Sequence, residues 1–397
     1  MHPLLTAEIL SIGSELTVGE TRDTNAGDLA RELTDRGVEV GRIVALPDDL
    51  PAVSEAIEAG LARSDIVLST GGLGPTPDDL TREAIAAVVG ETPGVHPGLD
   101  AWLRELFERR NLPFPEVNSK QAWLIPSATA IPNERGTAPG WWVDRPDGRL
   151  IIALPGPPRE MRPMLDAWVL PRLVERGLGR PVAVVTLRTT GLGESLLADR
   201  LGGLLDRGAN PTVATYARAD AVDVRISAVP EDGRTAQDLL SSTEARVLEL
   251  IGDKVWARGA TTWPAAIEAA LAGHGWRLAI VEVGLRGALT HLLGEDLGER
   301  LAFAETLLVR PTPHDGHPAD LEHLAARVRE LGACEVGLAV EAVVHRGDLA
   351  ASIAIFDPAG THHERRVVFL DGALGRSRVA IAAAASLLAR LRGGLTG

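Results

Sequence analysis

The sequence predicts an α/β protein whose N-terminal part is a doubly wound domain built on a largely parallel sheet. Two observations carry this prediction. Over roughly the first ninety residues, short apolar runs that suit buried strands alternate with stretches in which apolar residues recur at helical spacing. Loops rich in Gly and Pro follow directly after two of the predicted strands. In such folds ligands bind at the carboxyl ends of the strands, where these loops would lie.

The predicted elements of this first part follow one another in order. Each strand is a short apolar or alternating run, and the runs are 7–13, 38–46, 65–70 and 150–154. Three helical stripes share apolar side chains spaced three or four residues apart: Ala26, Leu29, Ala30 and Leu33; Val53, Ala56, Ile57 and Leu61; and Leu80, Ala84, Ile85, Val88 and Val89. From about 93 to 150 the chain is richer in Pro, Trp and turn residues.

The rest of the chain predicts two further domains, because 397 residues are enough for two or three. A linker at Arg180-Pro181 precedes a small α+β unit. Its predicted strands are 182–190, 213–217 and 222–228, and its predicted helices lie near 193–204 and 235–251. A second linker, 258–262, leads into residues 263–397, where helices and strands alternate again and end in an Ala-rich helix, 376–391.

Composition narrows the classes of function. With 54 acidic and 40 basic residues the net charge is −14, which argues against a surface built to bind nucleic acid or an anionic membrane. The single cysteine, Cys334, cannot form an internal disulfide, and this fits a reducing compartment. The N-terminus has no signal-peptide pattern, and no uncharged apolar run reaches 18 residues. We therefore expect a cytoplasmic protein that acts on a small molecule.

The most informative motif is the glycine loop that follows the third strand, Gly71-Gly72-Leu73-Gly74. Three glycines in four residues let the backbone turn sharply and bring N–H groups close to a phosphate. Thr76 is predicted to cap the next helix, with Pro77 as its first residue, which would put Asp78 and Asp79 in its first turn. Two carboxylates beside a phosphate suit a divalent cation. The alternative is that these residues only cap the helix.

A second polar loop follows the first strand and contains Gly13, Glu15 and Asn25. In a parallel sheet it would lie at the same edge as the glycine loop, where it could orient a ligand. Capping of the next helix by Thr24 or Asn25 explains it equally well. The glycine loop is not a dinucleotide fingerprint, which follows the first strand, and no Gly-Lys-Ser/Thr sequence marks a P-loop.

These motifs together resemble a known family. Residues 7–170 are similar to the MoaB/Mog-type, molybdopterin-binding-like domain of the CinA (competence/damage-inducible) family. The similarity rests on several motifs in the family's order, which are Gly13-Ser14-Glu15-Leu16, Asp23-Thr24-Asn25, residues 70–81, Gly136-Thr137-Ala138-Pro139-Gly140 and residues 154–161. The resemblance implies a three-layer MoaB/Mog-like domain at 1–178, a small α+β domain at 179–258 and a deamidase-like α/β domain at 259–397. It also implies a homodimer.

The resemblance implies metal-dependent hydrolysis of ADP-ribose to AMP and ribose 5-phosphate by the N-terminal domain. The implied cofactor is Mg²⁺, Mn²⁺ or Co²⁺, held by Asp78 and Asp79. The implied catalytic residues are Asp78, Asp79 and Lys120, and the implied substrate-binding residues are Gly13, Glu15, Asn25, Gly71, Gly72, Gly74, Thr76 and Gly156. Relatives in cofactor synthesis bind molybdopterin instead, so a protein that holds a pterin or a nucleotide without turnover is the alternative.

The C-terminal domain departs from the family's deamidase pattern. In place of a Glu-Ser-Cys-Thr-Gly-Gly stretch the chain has Glu282-Val283-Gly284-Leu285-Arg286-Gly287, and valine cannot replace a serine nucleophile. The family's tyrosine and lysine are also missing, because no tyrosine follows Tyr216 and no lysine follows Lys254. The family's Thr-Gly-rich loop is replaced by 339–342. We therefore expect a retained fold without deamidase activity, serving assembly, nucleotide sensing or stability.

Two further groups in this domain have alternative interpretations. Histidines are concentrated here and include His314, His317, His362 and His363. Their spacing favours solvated surface over a metal site. Cys334 follows an apolar helical stripe, which favours a buried thiol over a reactive one.

Overall fold

The structure, a computed structural model, describes residues 4–206, 208–218, 222–310 and 320–393. The backbone forms two compact units, each continuous in space but not in sequence. One comprises Met1–Ala183 with Val229–Gln237, and the other comprises Val184–Ala228 with Asp238–Gly397. None of the helices in the described ranges is both long and apolar enough to cross a membrane.

The first unit is built on a six-stranded sheet. The strands of this unit are β1 (Thr6–Ile12), β2 (Glu39–Leu46), β3 (Ile66–Thr70), β4 (Gly94–Val95), β5 (Trp123–Leu124), β6 (Ala128–Ile131), β7 (Gly140–Asp144) and β8 (Leu150–Leu154). Strands β4 and β5 form a separate two-stranded ribbon, and the other six form the main sheet. The order in the main sheet is β2-β1-β3-β8-β7-β6. The first four of these strands are parallel, whereas β7 and β6 are antiparallel additions.

Helices cover both faces of this sheet. They are α1 (Ser14–Thr17), α2 (Asn25–Thr34), α3 (Leu50–Arg63), α4 (Thr81–Val89), α5 (Pro97–Arg109), α6 (Pro158–Met164) and α7 (Leu170–Glu175), with a 3₁₀ turn at Glu116–Ala122 and a π-helical turn at Leu165–Val169. Side chains alternate along β1, so Ile9 packs in the core that contains α2, α6 and α7, and Leu10 packs in the core that contains α3 and α4. The predicted three-layer α/β class is confirmed.

One predicted helix boundary is wrong. Helix α4 begins at Thr81, not beside Thr76 and Pro77. The Asp79 carboxylate accepts hydrogen bonds from the N–H group and the hydroxyl of Thr76, and this closes a turn before the helix. The predicted pairing of Thr76 with Asp79 is therefore present, but it forms a separate turn. Asp78 and Asp79 consequently precede the helix instead of lying in its first turn.

The second unit contains two sheets. The first has strands β9 (Ala183–Thr189), β10 (Thr212–Ala217), β11 (Val222–Ala228) and β12 (Val255–Arg258), in the order β10-β11-β9-β12, with helices α8 (Glu194–Leu201) and α9 (Ala236–Ile251) and 3₁₀ turns at Gly202–Leu205 and Gly252–Lys254. Gly191 adopts a positive φ of 75° just before α8, where the sequence predicts a turn from strand to helix.

The second sheet of this unit lies in the C-terminal part. Its strands are β13 (Leu278–Val283), β14 (Leu301–Leu307), β15 (Val336–His345), β16 (Asp348–Asp357) and β17 (Gly360–Val368), in the order β14-β13-β15-β16-β17. Its helices are α10 (Trp263–His274), α11 (Ala288–Leu297), α12 (Leu321–Leu331) and α13 (Gly372–Leu391), with a 3₁₀ turn at Gly298–Arg300. Helices α10, α11 and α13 share one core, and α12 packs in the other.

Candidate functional site

A cavity of about 400 Å³ opens at the carboxyl ends of the parallel strands of the first unit. This is the position at which open α/β sheets bind ligands. Its wall comes from the loops after β1, β2, β3 and β8 and from the segments around residues 121 and 137, and the lining residues are Ile12, Gly13, Glu15, Asp48, Gly71, Gly72, Leu73, Gly74, Pro75, Asp78, Asp79, Gln121, Thr137, Ala138, Pro155, Gly156, Pro157 and Glu160.

The glycine loop has a backbone that other residues would adopt only under strain. Gly71 and Gly72 have φ angles of 99° and 63°. A Cβ atom on Gly71 would lie 1.9 Å from the carbonyl oxygen of Ile12. The hydroxyl of Thr81 donates to the carbonyl oxygen of Gly71 at 2.9 Å and fixes the loop to the start of α4. The sequence thus requires glycine here for conformation and for close packing against β1.

The same loop presents unpaired backbone donors. Within the described part of the chain, the N–H groups of Gly72, Leu73 and Gly74 make no hydrogen bond. All three residues line the cavity. Consecutive free N–H groups in a tight loop form a concave anion-binding surface. The loop can therefore receive the oxygens of a phosphate.

Two aspartates stand beside these donors. Asp78 is exposed and Asp79 is half-buried, and both line the cavity. The nearby Thr76 hydroxyl group, a backbone N–H group and the charge of Lys120 hold the pKa of Asp78 below its usual value. The Asp78 carboxylate is therefore available as an anionic oxygen ligand at neutral pH, whereas Asp79 already accepts two hydrogen bonds from Thr76.

The side chains that line the cavity carry a strong negative charge. Five carboxylates line it and none of its lining residues is Lys, Arg or His; the five are Glu15, Asp48, Asp78, Asp79 and Glu160. A phosphate ligand would meet this charge unless a cation accompanied it. No group of three or more His, Cys, Asp or Glu side chains converges on one metal position among the described residues. The donors fit Mg²⁺-like ions, which use one or two protein carboxylates and take further oxygens from phosphate and water.

A second cavity of about 310 Å³ adjoins the first and shares four lining residues with it, Ile12, Glu15, Gly156 and Pro157. Asn25 lines it and is only 8% exposed. Its side-chain N–H₂ group donates to the hydroxyl of Thr70 at 3.0 Å and to the carbonyl oxygen of Gly156 at 2.7 Å. Its buried Oδ1 atom has no hydrogen-bond partner in the described chain. A buried unpaired acceptor beside a cavity is a place for a ligand donor.

Asn25 is not the cap of its helix. The N-terminal residue that accepts from the helix backbone is Asp23, whose carboxylate bonds the N–H group of Ala26 at 3.0 Å. Thr24 occupies the N-cap position without a side-chain hydrogen bond. The capping alternative considered for Thr24 and Asn25 is therefore wrong, because Asp23 performs that task and leaves the Asn25 amide to face the strand ends.

The predicted site residues separate into three groups. Six line the first cavity only, and they are Gly13, Gly71, Gly72, Gly74, Asp78 and Asp79; Glu15 and Gly156 line both cavities, and Asn25 lines the second. Thr76 and Lys120 lie outside the lining of both cavities. The Lys120 ammonium group donates to the carbonyl oxygen of Thr76 at 3.2 Å and lies 2.7 Å from a Glu83 carboxylate oxygen. Lys120 therefore stabilises the turn between Thr76 and Asp79 from outside the two cavities.

Sequence reasoning missed two residues at this site. Asp48 follows β2, and its carboxylate accepts from the N–H group of Ser14 at 2.7 Å; its place after a predicted strand was a signal for it. Arg82 is fully buried behind the glycine loop. The sequence feature that could have identified Arg82 is its position as a charged residue within an apolar helical stripe.

In the C-terminal part, Glu282 has become a structural residue. It is fully buried, and its carboxylate accepts from the N–H group of Leu289 and from the hydroxyls of Thr290 and Thr306 at 2.7 to 2.9 Å. Val283, which the family resemblance aligns with a serine, ends β13 with 2% exposure. The carboxylate thus joins α11 to the sheet.

The histidines and the cysteine of the C-terminal part have different environments. His314 and His317 lie outside the described residues. His362 and His363 belong to no convergent group of three or more metal ligands among the residues described. Cys334 is half-buried against the core beside α12, and burial raises the pKa of its thiol. The thiol is therefore less reactive than an exposed one.

Comparison with known proteins assigns the class of the chain. Residues 8–175 match the family described as "Probable molybdopterin binding domain", and residues 185–257 match the "Damage-inducible protein CinA KH domain". The chain is 42% identical to a CinA-like protein of Deinococcus deserti over 371 residues, covering 91% of each. It is 46% identical to a CinA-like protein of Deinococcus radiodurans over 351 residues, covering 85% of this chain and 86% of that one.

A solved structure is also similar to part of the chain. The protein CinA of Thermoplasma acidophilum is 34% identical, and the alignment covers 42% of this chain and 98% of that one, with a TM-score of 0.39. The fold and the matched domain define an α/β protein with a molybdopterin-binding-type domain. The identity with full-length relatives goes further, and the chain belongs to the CinA-like protein family. The predicted family is confirmed.

Proposed function

We propose that the N-terminal domain hydrolyses a nucleoside diphosphate sugar, with ADP-ribose as the first candidate, in the presence of Mg²⁺, Mn²⁺ or Co²⁺. The products would be AMP and ribose 5-phosphate. The observation that supports this most strongly is the combination of free loop N–H groups with a wall of carboxylates and no basic side chain in the same cavity. Such a cavity favours phosphate only together with a divalent cation, because the cation offsets the charge of both.

The protein groups have distinct tasks in this proposal. The N–H groups of Gly72, Leu73 and Gly74 bind phosphate oxygens and stabilise the charge that develops on them as the P–O bond breaks. Asp78 and Asp79 would hold the cation, which would supply Lewis-acid chemistry to the phosphoanhydride. No protein nucleophile is needed.

The second cavity suits the nucleoside or the sugar of such a ligand. The two neighbouring cavities lie within the size range of small-molecule sites. The unpaired Oδ1 atom of Asn25 would accept a hydrogen bond from a ribose hydroxyl or an amino group. Gly156 would allow the ligand to pass from one cavity to the other, since it lines both.

We also propose that residues 259–397 have no deamidase activity. The serine position holds the buried Val283, and the hydrogen bonds of Glu282 tie it to structural hydroxyls. Its three missing groups would have to return together for amide hydrolysis. The domain would contribute to assembly of a homodimer or to stability.

A binding protein without turnover is the second candidate. The match of residues 8–175 to a probable molybdopterin-binding domain favours it. The glycine loop would then hold the phosphate of a pterin or a nucleotide. Such a protein would show little dependence on a divalent cation.

The two candidates differ in what Asp78→Asn and Asp79→Asn do to the full-length chain. If the domain is a hydrolase, each variant loses about 100-fold or more in AMP release from ADP-ribose. Removal of one negative charge leaves nucleotide affinity in EDTA unchanged or tighter, because less repulsion remains. Kinetics and isothermal titration calorimetry measure the two effects.

Asp147→Asn is the matched control. Asp147 lies in the turn between β7 and β8, at the opposite end of the sheet from the cavity, and it should keep normal turnover. Turnover retained in both cavity variants would contradict the assigned metal position. An absence of turnover in the unmodified protein, with nucleotide binding retained, would favour the binding protein.

A further inference from the structure

A buried positive charge lies directly behind the glycine loop. The Arg82 side chain, on the first turn of α4, is fully buried. Its Nη1 atom donates to the carbonyl oxygen of Leu73 at 2.9 Å and, at 3.4 Å, to that of Gly74. Its Nη2 atom donates to the carbonyl oxygen of Pro139 at 3.3 Å. The guanidinium group therefore bonds to the glycine loop and to the segment just before β7, and both segments contribute residues to the cavity wall.

The pairing of this arginine is unusual. All the acceptors of Arg82 are neutral carbonyl groups, and its buried Nε atom has no hydrogen-bond partner among the described residues. Desolvation lowers the pKa of Arg82 to about 10, against the opposing charges of Glu83 and Asp79. The side chain is therefore charged at neutral pH. A buried cation normally has a carboxylate partner in hydrogen-bond contact.

The direction of the carbonyl groups matters for the ligand. In a trans peptide the C=O and N–H bonds point to opposite sides. Because the carbonyl group of Leu73 points at Arg82, the N–H group of Gly74 points away from it. Gly74 lines the cavity, and its N–H group is one of the three that are unpaired within the described chain. The arginine thus fixes a donor in the orientation that an anion requires.

We propose that Arg82 is a positioning residue for the phosphate group: it turns the loop donors toward the cavity and supplies a buried positive charge beneath the bound anion. The inference rests on the proposed function and deepens it. The anion in turn offsets the charge of a guanidinium group that the protein alone leaves with neutral acceptors. The negative charge of the phosphate would thus be offset from two sides: by Arg82 behind the glycine loop and by the cation beside the carboxylates of the cavity.

The test measures the affinity of the full-length chain for inorganic pyrophosphate with Mg²⁺, by isothermal titration calorimetry. Arg82→Met removes the charge and all three hydrogen bonds, and should weaken binding about 10- to 100-fold. Arg82→Lys keeps a charge but cannot reproduce the three guanidinium hydrogen bonds, so it should weaken binding about three- to tenfold, less than Arg82→Met. A residue that acted only by maintaining the fold would not give this graded loss.

Arg63→Met is the control for loss of stability. Arg63 pairs with the buried Glu8 at 2.7 and 2.8 Å, at the end of the sheet away from the cavity. It should lower the unfolding temperature and leave pyrophosphate affinity within about threefold of the original.

The outcomes separate this inference from the proposed function. The role of Arg82 alone would be overturned if Arg82→Met bound pyrophosphate as tightly as the unmodified protein does. It would also be overturned if Arg63→Met lost as much pyrophosphate affinity as Arg82→Met. If Arg82→Met does not fold, unchanged affinity in Arg82→Lys would do so. No binding of pyrophosphate by the unmodified protein would overturn the proposed function itself and the inference with it.

Discussion

Replacing Gly71 by alanine tests whether the glycine loop depends on a backbone that glycine alone adopts. The φ angle of 99° costs an L-residue about 1–2 kcal/mol. The added Cβ would lie 1.9 Å from the backbone oxygen of Ile12, so the loop must move. This movement also weakens the hydrogen bond from Gly71 to Leu154, worth about 1 kcal/mol. We expect Gly71→Ala to destabilise the loop and β3 by about 3 kcal/mol or more.

Gly90→Ala provides the comparison. Gly90 ends α4 with a φ of 79°, but an added Cβ meets open space, so its cost is about 1 kcal/mol. Hydrogen exchange of peptides that cover β3 and α4, measured by mass spectrometry, gives the local opening free energy of each variant. Pyrophosphate affinity should fall in Gly71→Ala and stay normal in Gly90→Ala. Equal losses of stability within about 0.5 kcal/mol would refute the steric argument.

Three further predictions concern the C-terminal part. Burial opposes ionisation of Asp357, but hydrogen bonds from Arg390 at 2.8 and 3.0 Å hold the pKa of Asp357 below its usual value. This pair therefore stabilises the fold above about pH 4 and loses that effect as the pH falls through the lowered pKa, so Asp357→Asn should flatten the acid limb of a pH-dependent urea-unfolding series. The full-length chain should release no ammonia from nicotinamide mononucleotide, and Val283→Ser should not restore release, since the other groups stay absent; ammonia above background would contradict this. The Cys334 thiol should react with a disulfide reagent at pH 8 about tenfold more slowly in the folded chain than in urea, and equal rates would refute its burial.

Three strands of the first unit, β1, β3 and β8, were predictable because each is a short run buried on both faces, as in a parallel sheet. Strand β2, at the edge of the sheet, is largely exposed and was predictable from its alternating apolar residues. The boundary of α4 was not. Thr76, Pro77 and Asp79 have the sequence pattern of a helix start. In the structure, Thr76 and Asp79 instead close a separate turn before the helix begins at Thr81. Local hydrogen bonds of this kind look alike in sequence, and only the position of Thr81 against Gly71 decides between them.

The part of the site formed by backbone groups, the glycine loop, was predictable from the sequence. Three glycines after a buried strand indicate a loop with unpaired N–H groups, and those of Gly72, Leu73 and Gly74 make no hydrogen bond within the described chain. The contributions of Asp48 and Arg82 depend on contacts between segments far apart in sequence, such as Arg82 with Pro139. Lys120, which the family resemblance names as catalytic, lies outside the lining of both cavities and bonds to the carbonyl oxygen of Thr76.

The most direct test of the account is product formation by the full-length chain from ADP-ribose with Mg²⁺, Mn²⁺ or Co²⁺, compared with the same reaction in EDTA. Chromatography measures AMP and ribose 5-phosphate separately. The account predicts that both products form in equal amounts with at least one of the metals and that neither forms in EDTA. Nucleotide binding without product under every metal would contradict the hydrolase and leave a binding protein in its place.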